Sequence, residues 1–158
     1  MEPISLDLQG IIDYQMNRHP YLMIDRAIEI IPGESAKGYK QITANDWFIP
    51  CHFPGDPNMP GLLQTEALVQ LSALIVIALP GNKGKICYLS QLEKAKFKRK
   101  VLAGDRLDIE SHLLSWKRGI AKCEAVGKVD GEKACEATFT LVMPDVMNEF
   151  AVKASTNS

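Results

Sequence analysis

The chain has 158 residues, 46% hydrophobic and 23% charged, with 18 basic against 19 acidic side chains and a net charge of -1. That length and balance fit one soluble globular domain with a sizeable core, and they exclude a global electrostatic footprint for nucleic acid while leaving room for a local basic patch. The four cysteines, at 51, 87, 123 and 135, show no CxxC spacing and read as free, mostly buried thiols of a reducing compartment.

The opening MEPISLDLQG has neither a basic n-region nor an apolar h-region, so no export signal is expected and a cytoplasmic location follows. Leu6 to Tyr14 is expected to form a short amphipathic helix with Leu8, Ile11 and Ile12 on one side. RHPYLMIDRAIEII reads as a strand broken at His19-Pro20, because proline biases its predecessor away from helix. Pro32-Gly33 is a turn, and Ser35 to Thr43 a second strand. The apolar run Leu62 to Leu79 is near the lower length limit of a membrane span. Gln64, Glu66 and Gln70 in its first half would be penalised in hydrocarbon, so it reads as a core helix, ended at Pro80-Gly81-Asn82.

Lys85 to Val101 is a long strand candidate, followed by a turn at Ala103-Gly104-Asp105 and a third long strand through Leu107, Ile109, Leu113 and Trp116. Arg118-Gly119 and Asp130-Gly131 are tight hairpin turns on either side of Ile120–Val129. In Lys133–Met143, Cys135, Ala137, Phe139 and Leu141 alternate with polar residues. Residues 1–145 read as a single domain and 146–158 as a partly disordered tail. A lone helix that is apolar nearly all round must be covered on most sides. A curved antiparallel sheet wrapped around it would do so, an α+β architecture that resembles the hotdog fold.

The loop between second strand and helix, HFPGDPNMPG, holds three prolines, two glycines and His52 in ten residues. The prolines fix their own backbone angles and restrict Phe53, Asp56 and Met59, so His52 would be held in place. Pro60 suits a helix start, Gly61 permits close approach to the backbone, and the N–H groups of Leu62 and Leu63 would point out at the positive end of the dipole. Glu66 and Gln70, four apart, share one apolar face, where poor solvation favours a protonated carboxyl. One base, one acid and one oxyanion pocket suit proton abstraction beside a carbonyl with loss of a neighbouring group. The plain alternative is a satisfied polar histidine beside a turn and a glutamate that favours the helix dipole. His19 and His112 read as structural or exposed, and a metal site on His52 and Asp56 lacks a third ligand.

HFPGDPNMPGLLQTEALVQ closely resembles the active-site motif of the 3-hydroxyacyl-acyl-carrier-protein dehydratases of the FabZ type, and RHPYLMIDRAIEI, ITANDWFIPCHFPG and LEKAKFKRKVLAGDRLDIE extend the similarity over nearly the whole chain. The resemblance implies reversible syn-elimination of water from a (3R)-3-hydroxyacyl thioester to the trans-2-enoyl thioester in fatty acid biosynthesis, with no metal or organic cofactor. By it His52 is the base, Glu66 the acid, backbone N–H at Gly61 or Leu62 the holder of the thioester carbonyl, and Gln70 the residue that orients the acid. It makes Tyr88 a tunnel-gating aromatic and implies a homodimer whose shared sites draw histidine and carboxylate from opposite subunits, in some members a trimer of dimers. It implies an acyl carrier protein with a phosphopantetheine-linked acyl chain as partner, steered by Lys94, Lys96, Lys98, Arg99 and Lys100, which otherwise read as a solvated strand face. Cys51, Asp56-Pro57 and Trp47-Phe48 look more like the FabA branch, which also isomerises the enoyl product, whereas Glu66 and Phe53-Pro54 are FabZ-like. A hotdog thioesterase and a non-catalytic acyl-binding module are the other readings.

Overall fold

The structure, a computed structural model, describes residues 1–157. A short strand β1 (Ile4–Leu6) leads into helix α1 (Leu8–Tyr14), whose N-cap Asp7 accepts the Gly10 N–H. Strands β2 (Arg26–Ile31) and β3 (Ser35–Gln41) form a hairpin, and the central helix α2 spans Gly61–Ile77. The meander β4 (Tyr88–Phe97), β5 (Arg106–Lys117), β6 (Ile120–Val129) and β7 (Glu132–Val142) follows, then helix α3 (Pro144–Thr156).

The strands make one antiparallel sheet in the order β1-β2-β3-β5-β6-β7-β4, with β4 at an edge. Helix α2 lies against β3, β5, β6 and β7 and is buried from Gln64 to Ile77 apart from Glu66. The facing residues of β6 are small (Ala121, Cys123, Ala125, Gly127), which brings helix and sheet close. Gly38 on β3 meets the same demand: a Cβ there would strike the Arg26 carbonyl and come within 2.8 Å of Leu71 Cδ1. Burying Leu68, Leu71, Leu74 and Ile75 stabilises the domain by roughly 1.5–3 kcal/mol each. This is the hotdog arrangement expected from the alternation of the strands and the all-round apolar helix. No helix among the described residues is long and apolar enough to cross a membrane.

The two tight hairpins have the backbone their sequences demand, with φ of 51° and 84° at Arg118-Gly119 and 49° and 78° at Asp130-Gly131. Two segments differ from the sequence expectation. Residues 18–25 form no strand: Tyr21 and Leu22 N–H turn back to the Arg18 carbonyl, Trp47 Nε1 donates to the Pro20 carbonyl, and Gln70 takes the Met23 N–H and donates to the Tyr21 carbonyl. The segment read as a tail continues as α3, with Pro144 at its start, Val146 buried and Glu149 paired to Lys85 at 2.7 Å. Gly119 makes room for it, since a Cβ there would lie 2.7 Å from Met147 Cγ.

Candidate active site

The His52 loop is held mainly by its own backbone. Phe53 and Asp56 exchange N–H···O bonds of 2.7 and 2.9 Å, Asn58 N–H donates to the His52 carbonyl at 2.9 Å, and Met59 N–H to the Val101 carbonyl at 2.8 Å. The Asn58 side chain donates to the His52 and Asp56 carbonyls at 3.3 and 3.0 Å, and Lys100 reaches Asp56 at 2.7 Å. His52 Nδ1 lies 3.2 Å from the Asn58 carbonyl oxygen. A carbonyl only accepts, so the neutral ring carries its proton on Nδ1 and keeps its lone pair on Nε2. The ring also rests on Phe53, centroids 4.1 Å apart. Cys51 is exposed, and its thiol donates to the Trp47 and Phe48 carbonyls.

At the start of α2 the expectation needs correction. Leu63 N–H and Gln64 N–H both turn back to the Pro60 carbonyl at 3.0 Å, so Leu63 is not a free donor. Gly61 and Leu62 keep first-turn N–H groups with no acceptor among the described residues. The missing side chain of Gly61 makes room for Phe97, whose ring would lie 3.0–3.2 Å from a Cβ. Phe97, Gly61, Gln64, Asn58, Lys98 and Lys100 border a cavity of about 460 Å³. Gln64 donates to the Met59 carbonyl, but its Oε1 is the one buried side-chain oxygen among the described residues without a hydrogen-bond partner.

Glu66 stands in other surroundings. It lines a cavity of about 290 Å³ with Tyr21, Gln70, Cys87, Tyr88 and Leu89, and His52 is not among the lining residues. Burial pushes the Glu66 carboxyl above its ordinary range, opposed by the hydrogen bond from Gln70. That bond, 2.8 Å to Oε1, leaves Oε2 without a partner among the described residues and able to carry a proton. Gln70 is saturated: Oε1 accepts the Met23 N–H at 2.7 Å while Nε2 serves the Tyr21 carbonyl and Glu66, both at 2.8 Å. The structure therefore gathers Glu66, Gln70 and Tyr88 at one cavity and places His52 apart from them.

Sequence reasoning missed Tyr21, Cys87 and Lys85 on this cavity, because the loop of residues 18–25 was read as strand and no local pattern reports a side chain reaching back from Gln70. The basic cluster divides. Lys98 pairs with Glu136, Arg99 with Glu132 and Asp105, and Lys100 with Asp56, all near the start of α2 or β7. Lys94, which has φ of 52° in an irregular stretch of β4, and Lys96 instead border a groove on the sheet with His112 and Glu124.

The chain matches the family model of the FabA-like domain over residues 16–138. It is 42% identical over 147 residues to the 3-hydroxyacyl-acyl-carrier-protein dehydratase FabZ of Alkaliphilus metalliredigens (strain QYMF), covering 92% of this chain and 98% of that protein. It is 41% identical over 140 residues to the FabZ dehydratase of Clostridium novyi (strain NT), covering 87% and 99%. Among solved structures it resembles the dehydratase heterocomplex ApeI:P from Xenorhabdus doucetiae, with TM-score 0.75, 13% identity, and coverage of 85% of this chain and 90% of that one. A hypothetical thioesterase with coenzyme A from Streptococcus pneumoniae TIGR4 aligns with TM-score 0.57 and 18% identity, over 72% and 80% of the two chains. At such identities the structures speak for the fold alone, and this fold serves more than one chemistry.

Proposed function

The chain belongs to the FabA-like family, and from that premise we propose that it is a hydro-lyase of fatty acid biosynthesis, removing water reversibly from a (3R)-3-hydroxyacyl thioester on an acyl carrier protein. The observation that carries the reading is the way its two groups are held. Glu66 is biased toward the neutral acid by burial, and His52 has its Nε2 lone pair open because the Asn58 carbonyl takes the Nδ1 side of the ring.

In the forward direction Nε2 takes a proton from C2 and the C3–O bond breaks. The carboxyl proton of Glu66 leaves with the hydroxyl as water, and C2–C3 becomes the double bond. The N–H groups of Gly61 and Leu62 stabilise the thioester oxygen as charge builds on it. Gln70 holds the acid by one oxygen and leaves the other to react. Gln64 Oε1 is available to accept an amide N–H of the phosphopantetheine arm, and the basic residues Lys98, Arg99 and Lys100 near the start of α2 suit an acidic carrier.

Within one chain the base and the acid belong to different surroundings, so each is half of a site. The edge strand β4 carries exposed Tyr88, Leu89, Leu92 and Phe97, an apolar edge that a second copy would cover. The active unit is then a homodimer in which Glu66 works with His52 of the partner subunit.

Two assays test this. Purified protein should hydrate a crotonyl thioester, with loss of the enoyl absorbance and no free thiol; thiol release without hydration would make it a thioesterase instead. His52→Ala and Glu66→Gln chains, each inactive alone, should regain roughly a quarter of wild-type turnover when co-expressed, because half of a random dimer population then contains one intact shared site. No recovery would place the complete site within a single chain.

A further inference from the structure

The cavity around Glu66 contains a polar group that the proposed reaction has not used. Tyr21 sits on the loop before β2, and its backbone is pinned to the same Gln70 nitrogen that holds the acid: Nε2 is 2.8 Å from the Tyr21 carbonyl oxygen and 2.8 Å from Glu66 Oε1. The side chain lines the same cavity, whose other walls include apolar Met16, Val69, Ile77 and Leu89. Trp47 Nε1 donates to the neighbouring Pro20 carbonyl at 3.2 Å, a second anchor on the loop. One amide on α2 thus sets both the carboxyl and the residue that bears the phenol.

Resting on the dehydratase reading, we infer that Tyr21 is a further catalytic residue: its hydroxyl donates a hydrogen bond to the C3 oxygen as that oxygen departs toward Glu66. The step balances without a new reactant. The C2 proton goes to His52, the Glu66 proton completes the water, and the Tyr21 O–H keeps its own proton while it stabilises the developing negative charge. In the hydration direction the same hydroxyl orients the attacking water against the Glu66 carboxylate.

The phenol is suited to this because it stays neutral. Its acidity is weakened by burial and by the nearby Glu66 charge. The other titratable groups on the cavity are Lys85, Cys87 and Tyr88. Lys85 is turned to Glu149 at 2.7 Å, and burial together with Cys123 pushes the Cys87 thiol up to about 12, so it is no acid at neutral pH. Tyr88 comes from the edge strand and lacks the Gln70 tether.

The test is Tyr21→Phe, which keeps the ring and removes the hydroxyl. Hydration of a crotonyl thioester should fall about tenfold in kcat, the size of a lost hydrogen bond to a charged group, with KM little changed. The acid limb of the pH profile, where Glu66 must be ionised to accept the proton of water, should stay in place, because the Tyr21 hydroxyl serves the C3 oxygen and the Gln70 bond to the carboxylate is untouched. Circular dichroism and thermal unfolding should match the wild type. Wild-type kcat overturns the inference, as does a loss of kcat that only follows a loss of folded protein. A wild-type protein that hydrates no enoyl thioester overturns the dehydratase reading itself, a result recognisable before any Tyr21 variant is made.

Discussion

The two halves of the site are built by opposite means. His52 is carried on an exposed loop whose shape comes from prolines and from backbone-to-backbone bonds that, apart from Met59 to Val101, span a few residues. Glu66 is carried on a buried helix, and its surroundings come from a side chain, Gln70, that reaches residues 47 and 49 positions away. The base is thus oriented by local chemistry and the acid by tertiary packing. A base needs orientation, whereas an acid that must stay protonated needs burial, and burial is a property of the whole fold.

The largest effects should come from deleting the working groups. His52→Ala and Glu66→Gln should each lower hydration of a crotonyl thioester by roughly a hundred- to ten-thousandfold, the usual contribution of a positioned acid or base. Steady-state rates at saturating substrate check this, and if only one of the two substitutions matters, the two halves do not cooperate in one reaction.

Next is Gln70→Leu. It strands the Met23 N–H and the Tyr21 carbonyl and should destabilise the fold by about 1–3 kcal/mol, read from denaturant midpoints. It also removes the one bond that lowers the Glu66 pKa, so the Glu66-linked limb of the pH profile should move upward. A loss of stability with an unmoved limb would mean that Gln70 supports the loop and not the acid.

The same contrast explains what could be read in advance. The turns at Arg118-Gly119 and Asp130-Gly131, the start and end of α2 and the stiffness of the His52 loop all follow from residues a few positions apart. The four-residue spacing of Glu66 and Gln70 showed that they share a face, but nothing local showed that Gln70 would also clip the loop of residues 18–25, and so that loop reads as strand. Helix α3 was legible in part: Pro144 at its start, Asp145 in the first turn, Lys153 in the last, and Val146 and Phe150 one turn apart. The room for it comes from Gly119, which a tight turn already explained. The separation of His52 from Glu66 depends on how sheet and helix pack, and in the sequence only the resemblance to a dimeric family pointed to it.

A subtler effect concerns stability. Because the folded state holds Glu66 above its ordinary value of 4.5, the fold binds that proton more tightly than the unfolded chain does. The contribution is fully present below that ordinary value and is lost as pH rises through the folded value. Glu66→Gln cannot ionise, so its stability relative to wild type should improve as pH rises through that window, seen as a crossing or closing of the two unfolding curves. A constant offset between them would mean that the Glu66 environment is well solvated.

The smallest effect should come from Asp56→Asn. The Lys100–Asp56 pair is short, at 2.7 Å, but its side chains are 59% and 55% exposed. Such a pair contributes at most about 1 kcal/mol and weakens with salt. The reciprocal Phe53–Asp56 backbone bonds, the Asn58 contacts and the prolines all survive the substitution. Turnover should stay within about twofold of wild type, and the denaturant midpoint should differ little between low and high salt, as expected of an exposed pair. If Asp56→Asn instead cripples the enzyme as far as Gln70→Leu does, the loop is held by its side-chain ion pair, and base and acid are positioned by the same means after all.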